Sequence, residues 1–126
     1  MKYQNMLARI IVDSAFQIHY RLGPGLFESV YETLMMYELK KRNIPVESQK
    51  AMPVYYDHIV FDKGFHADLV VDKIVIVELK SVEKVLPVHK KQLLTYLTIS
   101  NLQLGLLVNF GEPKIKDGIT KLVNNL

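Results

Sequence analysis

The stretch Phe65–Lys80, FHADLVVDKIVIVELK, decides how the rest of the chain is read. Its apolar residues come in strand-length runs interrupted at Asp72-Lys73, which predicts two β-strands, Phe65–Val71 and Ile74–Lys80, joined by a tight connection. The second is the most apolar segment of the chain and belongs in the interior of a sheet. Three charged residues travel with this pair: Asp68, Glu78 and Lys80. Side chains alternate along a strand, so Glu78 and Lys80 share a face. Whether Asp68 joins them depends on the connection. A two-residue turn at Asp72-Lys73 would set Asp68 against Val77, on the face opposite Glu78, whereas an odd-length loop or a bulge would set it beside Glu78. A site built from both carboxylates therefore requires one irregularity near Val71–Ile74.

Granted that irregularity, Asp68, Glu78 and the backbone carbonyl of Leu79 form an all-oxygen set suited to a hard divalent cation, Mg²⁺ or Mn²⁺. Lys80 would orient the attacking water, share in its deprotonation or stabilise the charge that develops on the phosphorane. The competing reading is a solvated sheet face carrying a Glu78–Lys80 salt bridge, because D-x₉-E-x-K spacings also arise by chance. The run IVIV before Glu78 weighs against it by placing the charges at the end of a buried strand.

Upstream, Leu7, Ile10, Ile11, Ser14, Ala15, Ile18 and Leu22 mark one face of a helix over residues 5–22, which Gly23-Pro24-Gly25 stops. A second helix is predicted from about Phe27 to Arg42, with Phe27, Val30, Tyr31, Leu34 and Met35 inward, ended by Asn43 and Pro45. Val46–Tyr56 follows as a strand, Asp57-His58 as a turn and Ile59–Phe61 as the start of the next strand, with a bulge or bend at Lys63-Gly64. Downstream, Pro87 suits the first turn of a helix that runs to about Ser100. Leu104–Phe110 reads as another buried strand, and a short helix is predicted near Asp117–Asn124. The fold class is α/β, three layers around one mixed sheet. The first three strands form an antiparallel meander, and the crossover helix lays Leu104–Phe110 parallel to a neighbour.

The helices contribute further candidates. Glu28 lies in the first turn of the second helix, where the dipole favours a carboxylate, and is also a candidate additional metal ligand. Tyr31, three residues on, shares its face. Gln92 and Tyr96 are an i,i+4 pair with His89 one turn earlier; the amide suits a phosphate or a water, and the phenol suits ordering that group or stacking on a base. His66 shares strand parity with Asp68 and is a candidate for lining the cleft. The four histidines show no zinc-ligand spacing.

A chain of 126 residues is expected to form a single domain over residues 1–126. The absence of cysteine excludes disulfides and thiolate metal sites, and it fits a reducing cytoplasm. MKYQNMLARIIVDSAF lacks the apolar core and cleavage site of an export signal, and no segment approaches the length needed to span a bilayer, so a cytoplasmic protein without membrane insertion is expected. The formal net charge of +3 is a mild attraction for a polyanion, and the lysines are dispersed with no dedicated basic arm.

Together these residues resemble the PD-(D/E)XK nucleases and, within that superfamily, the GxxExxY proteins. The first motif stands here as Gly25, Glu28 and Tyr31, the nuclease core as Asp68 with Glu78-Leu79-Lys80, and a Q-x-x-x-Y motif as Gln92 and Tyr96. The αβββαβ order, preceded by an additional N-terminal helix, is similar to the superfamily's restriction-endonuclease-like core, and the resemblance runs from about residue 5 to 123. Ala67 stands before Asp68 where the pattern has proline. The resemblance implies Mg²⁺-dependent phosphodiester cleavage, with Asp68 and Glu78 as ligands, Lys80 activating water and Glu28 as the acidic residue many members carry on the helix before the sheet. It also implies nucleic acid, DNA above all, as substrate. So small a chain has little surface for both cutting and selection, which points to a homodimer or a partner subunit. Some members of the superfamily bind without cutting, and a nucleic-acid-binding or assembly module on the same fold is the alternative.

Overall fold

The computed structural model describes residues 1–125; Leu126, the last residue of the expected domain, lies outside the described residues. In helix α1 (Lys2–Leu22), Leu7, Ile11, Ser14, Ala15 and Ile18 recur at helical spacing and are buried along one side, while Leu22 at the end is exposed. The helix closes on Gly23, whose φ of 76° is reached without cost only by glycine. Helix α2 (Glu28–Lys41) follows and buries Tyr31, Met35, Glu38 and Leu39. Phe27 and Val30, expected inward, face outward instead. Phe27 is the N-cap residue, and its extended backbone (φ −66°, ψ 148°) carries the side chain off the helical face, leaving it 82% exposed. The rotation of α2 is set by Tyr31, whose ring stacks on Phe110 at 4.1 Å.

Strands β1 (Val46–Tyr56) and β2 (Ile59–Val71) form a long antiparallel hairpin about Asp57-His58. Its register shifts where Met52 pairs with Phe65 but Val54 with Phe61, so Asp62-Lys63-Gly64 bulges opposite Pro53, at the position read from the sequence. Glycine is required in that bulge, because a Cβ on Gly64 would collide with the Val54 side chain. Strand β3 (Val75–Lys80) runs antiparallel to β2. Helix α3 (Pro87–Ser100) then crosses over, so that β4 (Leu104–Asn109) lies parallel to β3. Helices α1 and α2 cover one face of the sheet, over Leu69, Val71, Val75, Val77, Leu79, Leu104, Leu106 and Val108. Helix α3 covers the other through Leu93 and Leu97 against Val70, Ile76 and Leu107. Burial of apolar surface on both faces makes β3 the centre of the three layers, and Val75–Leu79 are all buried.

The C-terminal helix expected near Asp117–Asn124 does not form. A 3-10 turn at Ile115–Gly118 leads into a fifth strand, β5 (Ile119–Val123), antiparallel to β4. The sheet order is β1-β2-β3-β4-β5. Ile119 packs toward α1 and α2 and Leu122 toward α3, the alternation of a strand, and pairing satisfies the outer edge of β4, which would otherwise bury unpaired N–H and C=O groups. The turn passes so close to β4 that a Cβ on Gly118 would meet the Asn109 carbonyl.

Candidate active site

The connection between β2 and β3 has odd length. Val71 pairs with Val75, leaving Asp72, Lys73 and Ile74 between them. Asp72 and Lys73 adopt left-handed backbone (φ 48° and 65°), and the Ile74 N–H returns to the Val71 carbonyl at 3.1 Å. Leu69 consequently pairs with Val77, which sets Asp68 opposite Glu78 rather than opposite Val77. This is the irregularity that a shared site for the two carboxylates demands.

Backbone pairing of β2 with β3 stops at Leu69, and side chains take over the hydrogen bonds. The Asp68 N–H donates to Glu78 Oε2 at 3.2 Å, and the Leu79 N–H donates to Asp68 Oδ2 at 2.9 Å. The N–H and C=O of one strand residue point to the same side, so the Leu79 carbonyl faces the same gap. The neighbouring Lys80 carbonyl points the other way and accepts the Phe110 N–H at 2.8 Å. Beyond Asp68, β2 pairs with β1 alone, and its faces exchange: Leu69 and Val71 pack toward α1 and α2, while Phe65 and Ala67, of the same parity, pack toward α3. Strand parity therefore does not carry from Asp68 back to His66. That histidine is exposed, while the pocket around Asp68 is lined by residues of α2, β1 and β3.

Glu78 is only 8% exposed. Burial above all, then the hydrogen bond and negative charge of Asp68, push its carboxyl up to about 9, against the smaller opposing pull of the Asp68 N–H and the Lys80 charge. Without a cation Glu78 therefore keeps its proton at neutral pH. Lys80 projects on the same face as Glu78 and makes no ion pair among the described residues. The solvated Glu78–Lys80 salt bridge is not formed; Asp68 is the partner of Glu78.

A small pocket beside the pair is lined by Glu28, Ser29, Glu32, Gln49, Asp68 and Leu79. Glu28 is stitched to the end of β3: its Oε2 accepts the Ser81 N–H at 3.3 Å, and Ser81 Oγ donates to the Leu26 carbonyl at 2.6 Å. Tyr31 is fully buried and lies outside the pocket. Its hydroxyl donates to the Gly23 carbonyl at 2.7 Å and accepts the Leu26 N–H at 3.2 Å, so it fastens the loop that delivers Glu28. Tyr96 stacks on Phe65 at 4.0 Å; burial, followed by the charges of Glu78 and Asp68, raises its phenol, which keeps it a hydroxyl donor near the pair. Gln92 is exposed one turn earlier on α3. His89 Nδ1 accepts the Leu86 N–H at 3.1 Å and so caps that helix.

Three residues that sequence reasoning missed complete the surroundings. The Gln49 amide donates to both Glu32 and Asp68, and no local pattern marks either Glu32 or Gln49. Asn109 is buried at the end of β4. Its Oδ1 accepts the N–H groups of Val82 and Gly111 at 3.1 and 2.9 Å, and its Nδ2 donates to the Val82 carbonyl at 2.9 Å, which fixes the segment that follows Lys80. Asn109→Ala is expected to lower stability by about 1–3 kcal/mol, measured by urea unfolding, because three backbone groups lose their partner together.

Among the described residues no group of three or more histidine, aspartate or glutamate side chains converges as a metal site. The groups that could hold a metal are instead the carboxylate pair and the Leu79 carbonyl. These are all oxygen, so their chemistry fits a hard divalent ion.

A family model described as the PD-(D/E)XK nuclease superfamily matches residues 5–122, from within α1 to within β5. Comparison with curated proteins and with solved structures finds no match. Nucleases of this superfamily generally use divalent metals, in keeping with the oxygen donors at the β2–β3 gap. With its mixed five-stranded sheet between helical layers, matched over nearly its whole length, the chain belongs to the PD-(D/E)XK nuclease superfamily.

Proposed function

We propose that the chain is a metal-dependent nuclease that hydrolyses phosphodiester bonds in nucleic acid, DNA above all, at the gap where β2 parts from β3. The observation that carries this reading is the exchange of hydrogen bonds between backbone and carboxylate at Asp68, Glu78 and Leu79, which holds two acidic groups face to face on the strand that carries Lys80. Asp68, Glu78 and the Leu79 carbonyl would hold Mg²⁺ or Mn²⁺, with Glu28 on the adjoining wall. The ion supplies neutralisation of phosphate charge and a lowered pKa for water. Lys80 Nζ, free of an ion pair among the described residues, holds the attacking water by a hydrogen bond and meets the negative charge that builds on the phosphoryl oxygens. The Tyr96 hydroxyl, fixed by its stack on Phe65, donates to a phosphate oxygen or a water, and the exposed Gln92 amide meets the strand one helical turn away. Gly25, Glu28 and Tyr31 support assignment to the GxxExxY group, and the absence of cysteine supports a cytoplasmic setting.

The test is incubation of purified protein with single-stranded, duplex and branched DNA and with RNA, in Mg²⁺, in Mn²⁺ and in a chelator. Cleavage of DNA that requires the divalent ion is expected. If every substrate survives in both metals, the reading is wrong. Salt-dependent binding without cleavage, retained when Glu78 is replaced, would replace it with that of a binding module.

A further inference from the structure

Gln49 holds a backbone conformation that its position in the chain does not call for. It lies within β1, across from Asp68, between the pairs Ser48–Leu69 and Lys50–Ala67, yet its φ is 47°. Residues with a Cβ avoid that region outside turns, and such a conformation persists only where its surroundings enforce it. The rotation turns the side chain toward two acidic groups. Gln49 Nε2 lies 2.6 Å from Glu32 Oε1 and 3.2 Å from Asp68 Oδ1. An ionised carboxylate only accepts, so both hydrogens of the amide are used and the amide can take only one orientation. Asp68 Oδ2 receives the Leu79 N–H at 2.9 Å. Each oxygen of Asp68 thus has one fixed donor, and the plane of the carboxylate is set from both sides.

We infer that Gln49 is a positioning residue for the cation site: its amide, held by Glu32, fixes the Asp68 carboxylate so that the remaining lone pairs face the gap shared with Glu78 and the Leu79 carbonyl. The inference rests on the reading of Asp68 and Glu78 as cation ligands. It assigns Glu32 an indirect part, as the acceptor that stops the amide from turning over. Residues that orient a metal ligand control affinity without touching the ion, and a strand that departs from extended geometry at such a residue gives up local regularity for the site.

Two variants separate this role from a merely structural one. Gln49→Gly accepts a positive φ and removes the amide, whereas Gln49→Ala removes the amide but keeps a Cβ in the strained region. Mn²⁺ binding is followed by the paramagnetic resonance of the free ion, and melting is followed without any divalent ion. Both variants are expected to bind Mn²⁺ about tenfold or more weakly than the wild type, the cost of losing a partner that orients a ligand. Gln49→Gly is expected to melt within about 2 °C of the wild type and Gln49→Ala lower, because only the second retains the strain. Wild-type affinity in Gln49→Gly would overturn the inference and leave the cation site standing. Equal losses of melting temperature in the two variants with unchanged Mn²⁺ binding would also overturn it and make Gln49 a purely structural bridge. A wild type that binds no Mn²⁺ would remove the cation site itself, and the positioning role with it.

Discussion

Replacing Glu78 with glutamine is expected to abolish cation-dependent cleavage while raising the stability of the cation-free protein. The two effects have opposite signs because one carboxyl group serves two conditions. In the cation-free protein Glu78 is buried against Asp68 and is held protonated up to about 9. A glutamine amide reproduces that protonated group: its oxygen accepts the Asp68 N–H, and its NH₂ donates to the Asp68 carboxylate. The unfolded chain, whose carboxyl titrates at its ordinary 4.5, no longer gains from ionisation, so Glu78→Gln is expected to be more stable by roughly 1–3 kcal/mol at pH 7. Loss of a charged ligand is expected to cut cleavage by at least about 100-fold, the upper end of what losing a mere orienting partner costs. Urea unfolding in a chelator and a cleavage assay in Mn²⁺ read the two quantities separately. A joint loss of stability and activity would make Glu78 a structural residue, and undiminished cleavage would remove it from the site.

Affinity for Mn²⁺ is expected to climb about tenfold per pH unit between roughly pH 6 and 9 and to level off above, because the ion must displace the proton that Glu78 holds. Stability without the ion moves the other way. The folded-state carboxyl of Glu78 lies above its unfolded value, so the native protein binds more protons than the unfolded chain between 4.5 and about 9. The stability this contributes is complete below 4.5 and is lost as pH rises through about 9. Calorimetry in two buffers of different ionisation enthalpy should find about one proton released for each Mn²⁺ bound near pH 7.5. Glu78→Gln should abolish the slope in stability. A flat affinity profile would mean that Glu78 holds no proton to displace.

The α/β order was legible because each element declares itself locally. Leu7, Ile11 and Ile18 recur at helical spacing, IVIV marks a central strand, and Gly23-Pro24-Gly25 and Pro87 bound the helices. The facing of Asp68 and Glu78 was legible as a condition, since strand parity turns on the length of one loop, and Asp72-Lys73-Ile74 meets it. The helix predicted near Asp117–Asn124 failed because Ile119–Val123 is too short for either period to declare itself, and the free edge of β4 decided it. The direction of His66 was not legible because the faces of β2 exchange at Asp68, opposite the left-handed Gln49 of another strand. Phe27 turned outward because the N-cap backbone leaves the helical path.

By itself the sequence determined which elements form, their order, and the residue types able to bind a cation, because those depend on neighbours within a turn or a strand. Only the tertiary structure decided that Glu78 is buried against Asp68, that Lys80 makes no ion pair among the described residues and that Tyr96 stands within the field of the pair. It alone brought Glu32 on α2 and Gln49 on β1 to Asp68, and Asn109 to the segment after Lys80. Desolvation and hydrogen bonding between distant segments depend on where the chain returns in space, and no local period or propensity encodes that return.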